Sequence, residues 1–323
     1  MIKISIIGCG KIAGIIRDKS IQTHADAIKS NKNTKLISCF DINSSKSEKC
    51  SRNYNCKKEK SIEDLLTKTR PDIISLCTPD ESHFKIIKQI IAKQVDLKIL
   101  FVEKPICISR NEYNNILKEN KKVKFKIIIN HSRRFDNSHK EIRKLIQQNK
   151  FGKIKRCDGF YYGGWLHNAV HIIDSINYFF GKKLEILQIK NLKKSKYKND
   201  LTLDLDIMLA GYKTIISLNS FDEKFFQILE LDLKFEKGRI QILDFGRKIV
   251  VEKVIQNKIQ ENILIEQNIK KQSISSPMEN AYNDISNYLI KNNENYITIN
   301  TIEESKKTMN FMWDVMDRSK KYE

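Results

Sequence analysis

The chain has 323 residues, with 59 Lys and Arg against 39 Asp and Glu and a net charge of +20. That length buries two cores of ordinary size, so two domains are expected. No apolar run approaches the roughly 18 residues of a membrane span, and the few apolar residues before Gly8 are too short for a secretory leader, so a soluble, cytoplasmic protein without membrane contact is expected. The lysines are spread over nearly every predicted helix and loop instead of forming one stripe, which reads as a solvated basic surface and not as a nucleic-acid site.

In chain order, short apolar runs first alternate with amphipathic stretches, the pattern of a parallel sheet wrapped by helices. Strands are predicted over Ile2–Ile7, Lys35–Phe40, Ile73–Cys77, Ile99–Val102 and Phe125–Ile129. Ser61 with Asp64 and Ser109 with Glu112 have capping-box spacing and mark helix starts. Past residue 150 the runs Leu201–Leu209, Lys213–Leu218, Phe226–Phe235 and Arg239–Leu243 follow one another through connections such as Ala210-Gly211 and Lys237-Gly238, as in an antiparallel sheet. A helix is expected over Asn168–Phe180, one from Ser276-Pro277 and one after Thr301; the basic stretch NLKKSKYKND, Asn191 to Asp200, reads as an exposed loop. The seven cysteines are scattered, with no CxxC pair, and are expected as reduced thiols without a metal.

The stretch GCGKIAG follows the first strand and is expected to open a helix, the context of a dinucleotide fingerprint. Gly8 permits a tight turn, Gly10 lets the backbone approach a pyrophosphate, and Ala13 in the third glycine position keeps helix and sheet close; Lys11 and Ile12 belong to the same cofactor loop. The helix N-terminus adds unpaired N–H groups and the positive end of its dipole. An ordinary structural turn is the competing reading. Support comes from Asp41 at the end of the second strand, where a carboxylate accepts hydrogen bonds from both ribose hydroxyls and repels a 2′-phosphate, so NAD is favoured over NADP. Ile42 offers no arginine for that phosphate, and Lys46 is the one nearby cation. Asp41 lies beyond the usual interval of about 20 residues, which a longer first helix would explain. Thr78, Pro79 and His83 after the third strand, and Glu103 with Lys104 after the fourth, occupy strand ends where ligands bind in such sheets. Lys104 can donate to a substrate oxygen; its alternative is a surface loop lysine.

Taken together, GCGKIA, THADAI around His24, TPDESH, EKP, the Arg133-Arg134-Phe135 run and GGWLHNAVHIID, in that order, resemble the Gfo/Idh/MocA oxidoreductases over essentially the whole chain. The resemblance implies an α/β protein: a Rossmann domain with a doubly wound parallel sheet over residues 1–130, and over 131–323 a domain with a large open, mostly antiparallel sheet. The last helix of the chain is allowed to pack back on the Rossmann domain. It also implies a homodimer or homotetramer, a lysine of EKP beside nicotinamide and substrate, and a helix carrying an Asp and, four residues on, a His as acid/base groups. By position these are Lys104 and His171.

His167 stands where that aspartate is expected, followed by Asn168. His167 and His171 share a helix face one turn apart. A modified acid/base pair, lost catalysis with retained ligand binding, a two-histidine metal site and a purely structural His167 are the competing readings. Arg134, Trp165 and Asn168 are taken as substrate contacts, and Tyr161 to Trp165 as a stacking wall for a sugar or else sheet core. The expected activity is hydride transfer between a sugar-type secondary alcohol or ketone and NAD. A nucleotide sugar of surface-polysaccharide synthesis comes first and inositol or another polyol second, with a catalytically inactive NAD-binding regulator as the alternative class.

Overall fold

The computed structural model describes residues 1–15, 23–267, 276–296 and 301–320. The chain divides into two compact units, Met1–Asp136 with Ser275–Lys306, and Asn137–Ile274 with Lys307–Glu323. Residues that return to the first unit thus include the helix Pro277–Lys291, capped by Ser276, and not the last helix, Lys306–Ser319, which lies almost wholly in the second.

In the first unit, strands β1 (Ile2–Ile7), β2 (Thr34–Phe40), β3 (Lys57–Lys58), β4 (Ile73–Leu76), β5 (Ile99–Val102) and β6 (Lys126–Ile129) form one parallel sheet. Their order is β3-β2-β1-β4-β5-β6, so the connection reverses direction between β1 and β4 and opens a ligand crevice at the carboxyl ends. β4 and β5 at the centre are buried on both faces, which is why they read as unbroken apolar runs. The helix Asp80–Ala92 starts after Pro79 with no side-chain cap, whereas Arg110–Asn120 begins where capping chemistry places it; Ser109 Oγ accepts from the Glu112 N–H, while the Glu112 carboxylate reaches Ile108 N instead of the cap residue's own amide. The helix Pro277–Lys291 drives Tyr282 into the core, edge-on to Phe101 at 5.6 Å.

The glycine loop leads into a wide turn over Lys11–Ile15, broken by Gly14 at φ 143°. The next described helix is His24–Ser30, and the expected longer first helix, which would account for the distance to Asp41, falls on residues 16–22, outside the described ones.

The second unit carries an eight-stranded sheet: β7 (Ile154–Tyr162), β8 (Leu184–Lys194), β9 (Leu201–Leu209), β10 (Thr214–Phe221), β11 (Leu229–Phe235), β12 (Gly238–Leu243), β13 (Lys248–Gln256) and β14 (Asn262–Glu266). The order is β14-β13-β12-β11-β7-β10-β9-β8; every pairing is antiparallel except β7 with β10. β9, β11 and β12 alternate apolar buried residues with half-buried polar ones, so one face is core and the other carries charge. On the charged face Lys234 bridges Asp158 and Asp232 at 2.8 and 2.9 Å, and Arg239 grips Asp232 through two bonds. Among the described residues no helix is long and apolar enough to cross a membrane.

Candidate active site

In the first unit the predicted cofactor residues gather at the carboxyl edge of the parallel sheet. Gly8 has φ 90°, and a Cβ there would lie 2.6 Å from Thr78 N and 2.8 Å from Cys77 C, so glycine is required on both counts. Gly10 is the opposite case: nothing lies within 4 Å of its would-be Cβ, leaving the backbone open to a ligand. Asp41 ties into the same loop, its Oδ2 accepting from Cys9 N at 2.7 Å and its Oδ1 from Asn43 N at 2.7 Å. Each carboxylate oxygen keeps a second lone pair, so these bonds orient the group and leave it able to accept from ribose hydroxyls. The open backbone at Gly10 and the oriented carboxylate fit an adenine dinucleotide.

His83 and Glu103, expected among cofactor contacts, are otherwise engaged. His83 is buried between the two strand-end loops, with Nδ1 2.9 Å from Pro105 O and Nε2 2.8 Å from Thr78 O; the neutral ring donates to one of these carbonyls, and only the protonated ring to both. Burial pulls its pKa below the ordinary value, with those two carbonyls opposing. Glu103 Oε1 accepts from His24 Nε2 at 2.7 Å and from Asn130 Nδ2 at 2.6 Å. His24 Nδ1 meets Tyr282 Oη at 2.7 Å, which in turn meets Ser75 Oγ at 2.6 Å. With Nε2–H given to the carboxylate, Nδ1 accepts from Tyr282 and Tyr282 accepts from Ser75, so this assignment satisfies the whole chain. Burial works to raise the Glu103 carboxyl, but the His24 and Asn130 bonds and the Lys104 charge outweigh it and hold it below the usual range. Lys104 therefore follows a residue of a largely buried polar truss whose members come from β4, the ends of β5 and β6 and two helices, a dependence that the EKP tripeptide alone does not reveal.

In the second unit, Gly164 at φ 96° turns the chain into Trp165–Ala169, a wide helical turn that precedes the helix Val170–Phe180. A Cβ on Gly164 would strike Tyr197 at 2.8 Å and Asp200 at 3.0 Å. Those neighbours come from the stretch expected to be an exposed loop. Asn191 to Lys194 instead finish β8, and Asp200 is buried. Its Oδ2 accepts from His167 Nδ1 at 2.8 Å and from His167 N at 3.2 Å; its Oδ1 accepts from Leu166 N at 2.9 Å and Leu201 N at 2.8 Å. A carboxylate only accepts, so Nδ1 carries the ring proton and Nε2 the basic lone pair. The imidazole lies flat on Tyr197, centroids 4.1 Å apart and 8° between planes, and is 20% exposed. The aspartate that the helix lacks is thus supplied across 33 residues. His171 is half-buried one turn on.

The substrate contacts drawn from sequence fare differently. Trp165 is not a stacking wall: it is fully buried, donates from Nε1 to Met312 O at 3.0 Å and packs on Tyr161 and Phe311. Tyr161 is likewise core, its hydroxyl bonded to Leu203 O at 2.6 Å. Asn168 is buried and gives its amide to Gly163 O, bracing the turn that carries His167. Arg134 is buried in the short helix Ser132–Phe135 of the first unit. A cleft of about 640 Å³ in the second unit, lined by Leu184, Ile186, Phe311, Asp314 and Arg318 among others, includes none of the candidate residues.

Residues 2–131 match the Gfo/Idh/MocA family, described as an oxidoreductase family with an NAD-binding Rossmann fold. Inositol 2-dehydrogenase of Rhizobium meliloti is 24% identical over 154 residues, 48% of this chain and 43% of its own length. The chain thus spans about half the length of the curated relatives it matches. Among solved structures, the WlbA dehydrogenase from Bordetella pertussis, in complex with NADH and UDP-GlcNAcA, aligns with a TM-score of 0.79 at 15% identity, over 98% of this chain and 95% of that one. The transcriptional regulator Gal80p from Kluyveromyces lactis aligns with a TM-score of 0.78 at 17% identity, over 99% and 92%. At such identities the structural likeness establishes the shared fold. With the glycine loop and the oriented Asp41, the family match makes residues 2–131 an NAD-binding Rossmann domain of the Gfo/Idh/MocA type.

Proposed function

We propose that the protein is an NAD-dependent oxidoreductase that moves a hydride between a sugar-type secondary alcohol or its ketone and the nicotinamide. The observation that carries this reading is the buried Asp200 behind His167, a carboxylate–imidazole pair one turn from His171. A bound nicotinamide supplies the carbon that accepts or returns the hydride. In the direction of oxidation, His167 Nε2 takes the proton of the substrate hydroxyl, and Asp200 stabilises the imidazolium that forms. Lys104 contributes the positive charge that a developing alkoxide requires. This assigns to His167 the proton transfer that sequence position alone gave to His171, because His167 has the orienting carboxylate. His171 then tunes the charge of the site. Asp41 selects the cofactor with an unphosphorylated ribose, while Gly10 and the turn after it hold the pyrophosphate.

Nucleotide-linked sugars are the first substrate class, in line with the UDP-sugar bound by the WlbA dehydrogenase, and inositol-type polyols the second. The charged outer face of the second sheet joins two copies as a homodimer, or a tetramer of dimers. Sedimentation at micromolar concentration giving only the 37.9 kDa species would remove that assembly. The activity test mixes protein, NAD and panels of UDP-sugars and polyols and follows reduced nicotinamide by absorbance. Calorimetry should show NAD binding more tightly than NADP, with Asp41→Ala erasing the preference. Tight NAD binding with no turnover on either panel would reject the enzyme reading in favour of a cofactor-sensing regulator.

A further inference from the structure

Four of the seven cysteines, scattered in sequence, converge in the first unit. Cys9 lies between the two glycines of the dinucleotide loop, Cys39 on β2, Cys50 on the helix Ser44–Tyr54 and Cys56 just before β3. The sulfurs of Cys9, Cys39 and Cys50 all lie within 4.8 Å of one another, and Cys56 packs against the core cluster that contains them. The first three are buried and Cys56 half-buried. Cys39 Sγ points at Ser47 O, 3.4 Å away, and Cys9 Sγ at Phe40 O, 3.7 Å away; these weak bonds hold the thiols in place without consuming the sulfur lone pairs.

The geometry points to a structural thiolate site for one soft d¹⁰ cation, Zn²⁺, held by Cys9, Cys39 and Cys50 with Cys56 as the fourth ligand. Tetrahedral thiolate coordination at about 2.3 Å per Zn–S bond separates the sulfurs by about 3.8 Å, so closing Cys9, Cys39 and Cys50 onto the ion takes shifts of about an ångström or less. A disulfide uses one pair of sulfurs and accounts for two cysteines; mutual proximity of three, with a fourth cysteine packed beside the same cluster, is what a metal needs. Thiolate sulfur selects Zn²⁺ over Mg²⁺ or Ca²⁺, and the burial of three ligands makes the site closed and structural. The missing CxxC spacing is explained by the ligands arriving from four separate segments. The consequence is local: Cys9 N also donates to Asp41, so the cation would bolt the glycine loop to β2 and to the helix after it. The inference does not depend on the chemistry assigned to His167.

The test uses the full chain, reduced and stripped with a chelator, then titrated with Co²⁺ as the probe. The expected result is a thiolate-to-cobalt absorption saturating at one equivalent, displaced by one equivalent of Zn²⁺, with a rise in melting temperature on Zn²⁺ addition. Cys56→Ser, at the half-exposed ligand, should weaken the thiolate band while the chain stays folded by circular dichroism, and Cys157→Ser, in the second unit, should leave it unchanged. No thiolate band in the folded reduced chain, a band untouched by Cys56→Ser and Cys50→Ser alike, or a native mass showing a disulfide among these four residues under reducing conditions would overturn the site.

Discussion

His24 and His167 each face a carboxylate at almost the same distance, 2.7 Å to Glu103 and 2.8 Å to Asp200, yet the two pairs are built for different work. His24 is wholly buried and spends its second nitrogen on Tyr282, so its ring is a strut between a helix and two strand ends. His167 is partly exposed, stacked on one face by Tyr197 and oriented by a carboxylate that itself accepts three backbone N–H groups. A carboxylate behind an imidazole therefore does not by itself identify a base; the exposure of the ring separates the two. The same contrast separates Trp165 from Tyr197, two aromatic rings near the same turn, one core and one lying against the His167 ring.

The largest expected effect tests the partly exposed pair. His167→Ala and Asp200→Asn should each lower turnover by roughly two to four orders of magnitude. Asp200→Asn should in addition shift the pH profile of kcat, a change that lost structure alone does not produce. If His171→Ala costs more than His167→Ala, the proton belongs to His171 and the comparison fails. Next, Trp165→Ala should cost about 3 to 5 kcal/mol in denaturant unfolding, as removal of a core aromatic does, and leave the Michaelis constant of the folded protein unchanged. A changed Michaelis constant with intact stability would return Trp165 to the substrate site.

His24→Ala should cost about 2 to 3 kcal/mol, because it takes from the part-buried Glu103 carboxylate one of its two donors, and Tyr282→Phe about 1 to 2 kcal/mol, because it strips one partner each from His24 and Ser75. The smallest effect is in pH. His83 is held below its ordinary value in the fold, so between that lowered value and about pH 6.5 the unfolded chain binds more protons than the folded one. Its contribution is complete above about pH 6.5 and is lost as the pH falls, and His83→Gln should flatten that slope in a thermal scan. Glu103, also held low, adds a second loss that begins only below about pH 4.5.

Local chemistry made much of the first unit legible. β1 and β5 run as read, the Ser61 and Ser109 caps are formed, and Gly8 meets a steric demand that any sequence with that loop would face. β3 was missed because two lysines carry no apolar signal, and β7, β8, β13 and β14 because exposed or mixed strands lack clean alternation. Asn191 to Asp200 was misread for a related reason. Its lysines are solvated, which hides the one buried carboxylate at its end.

By itself the sequence determined what is encoded within a few residues: the parallel Rossmann order, the dinucleotide loop, the position of Lys104 after a strand and the pair of histidines one turn apart. Only the tertiary structure decided what those groups are joined to. Asp200 reaches His167 across 33 residues, Tyr282 reaches His24 across 258, and three cysteines meet from three segments. Hydrogen bonds and sulfur contacts depend on distance in space, and a linear pattern records distance only along the chain.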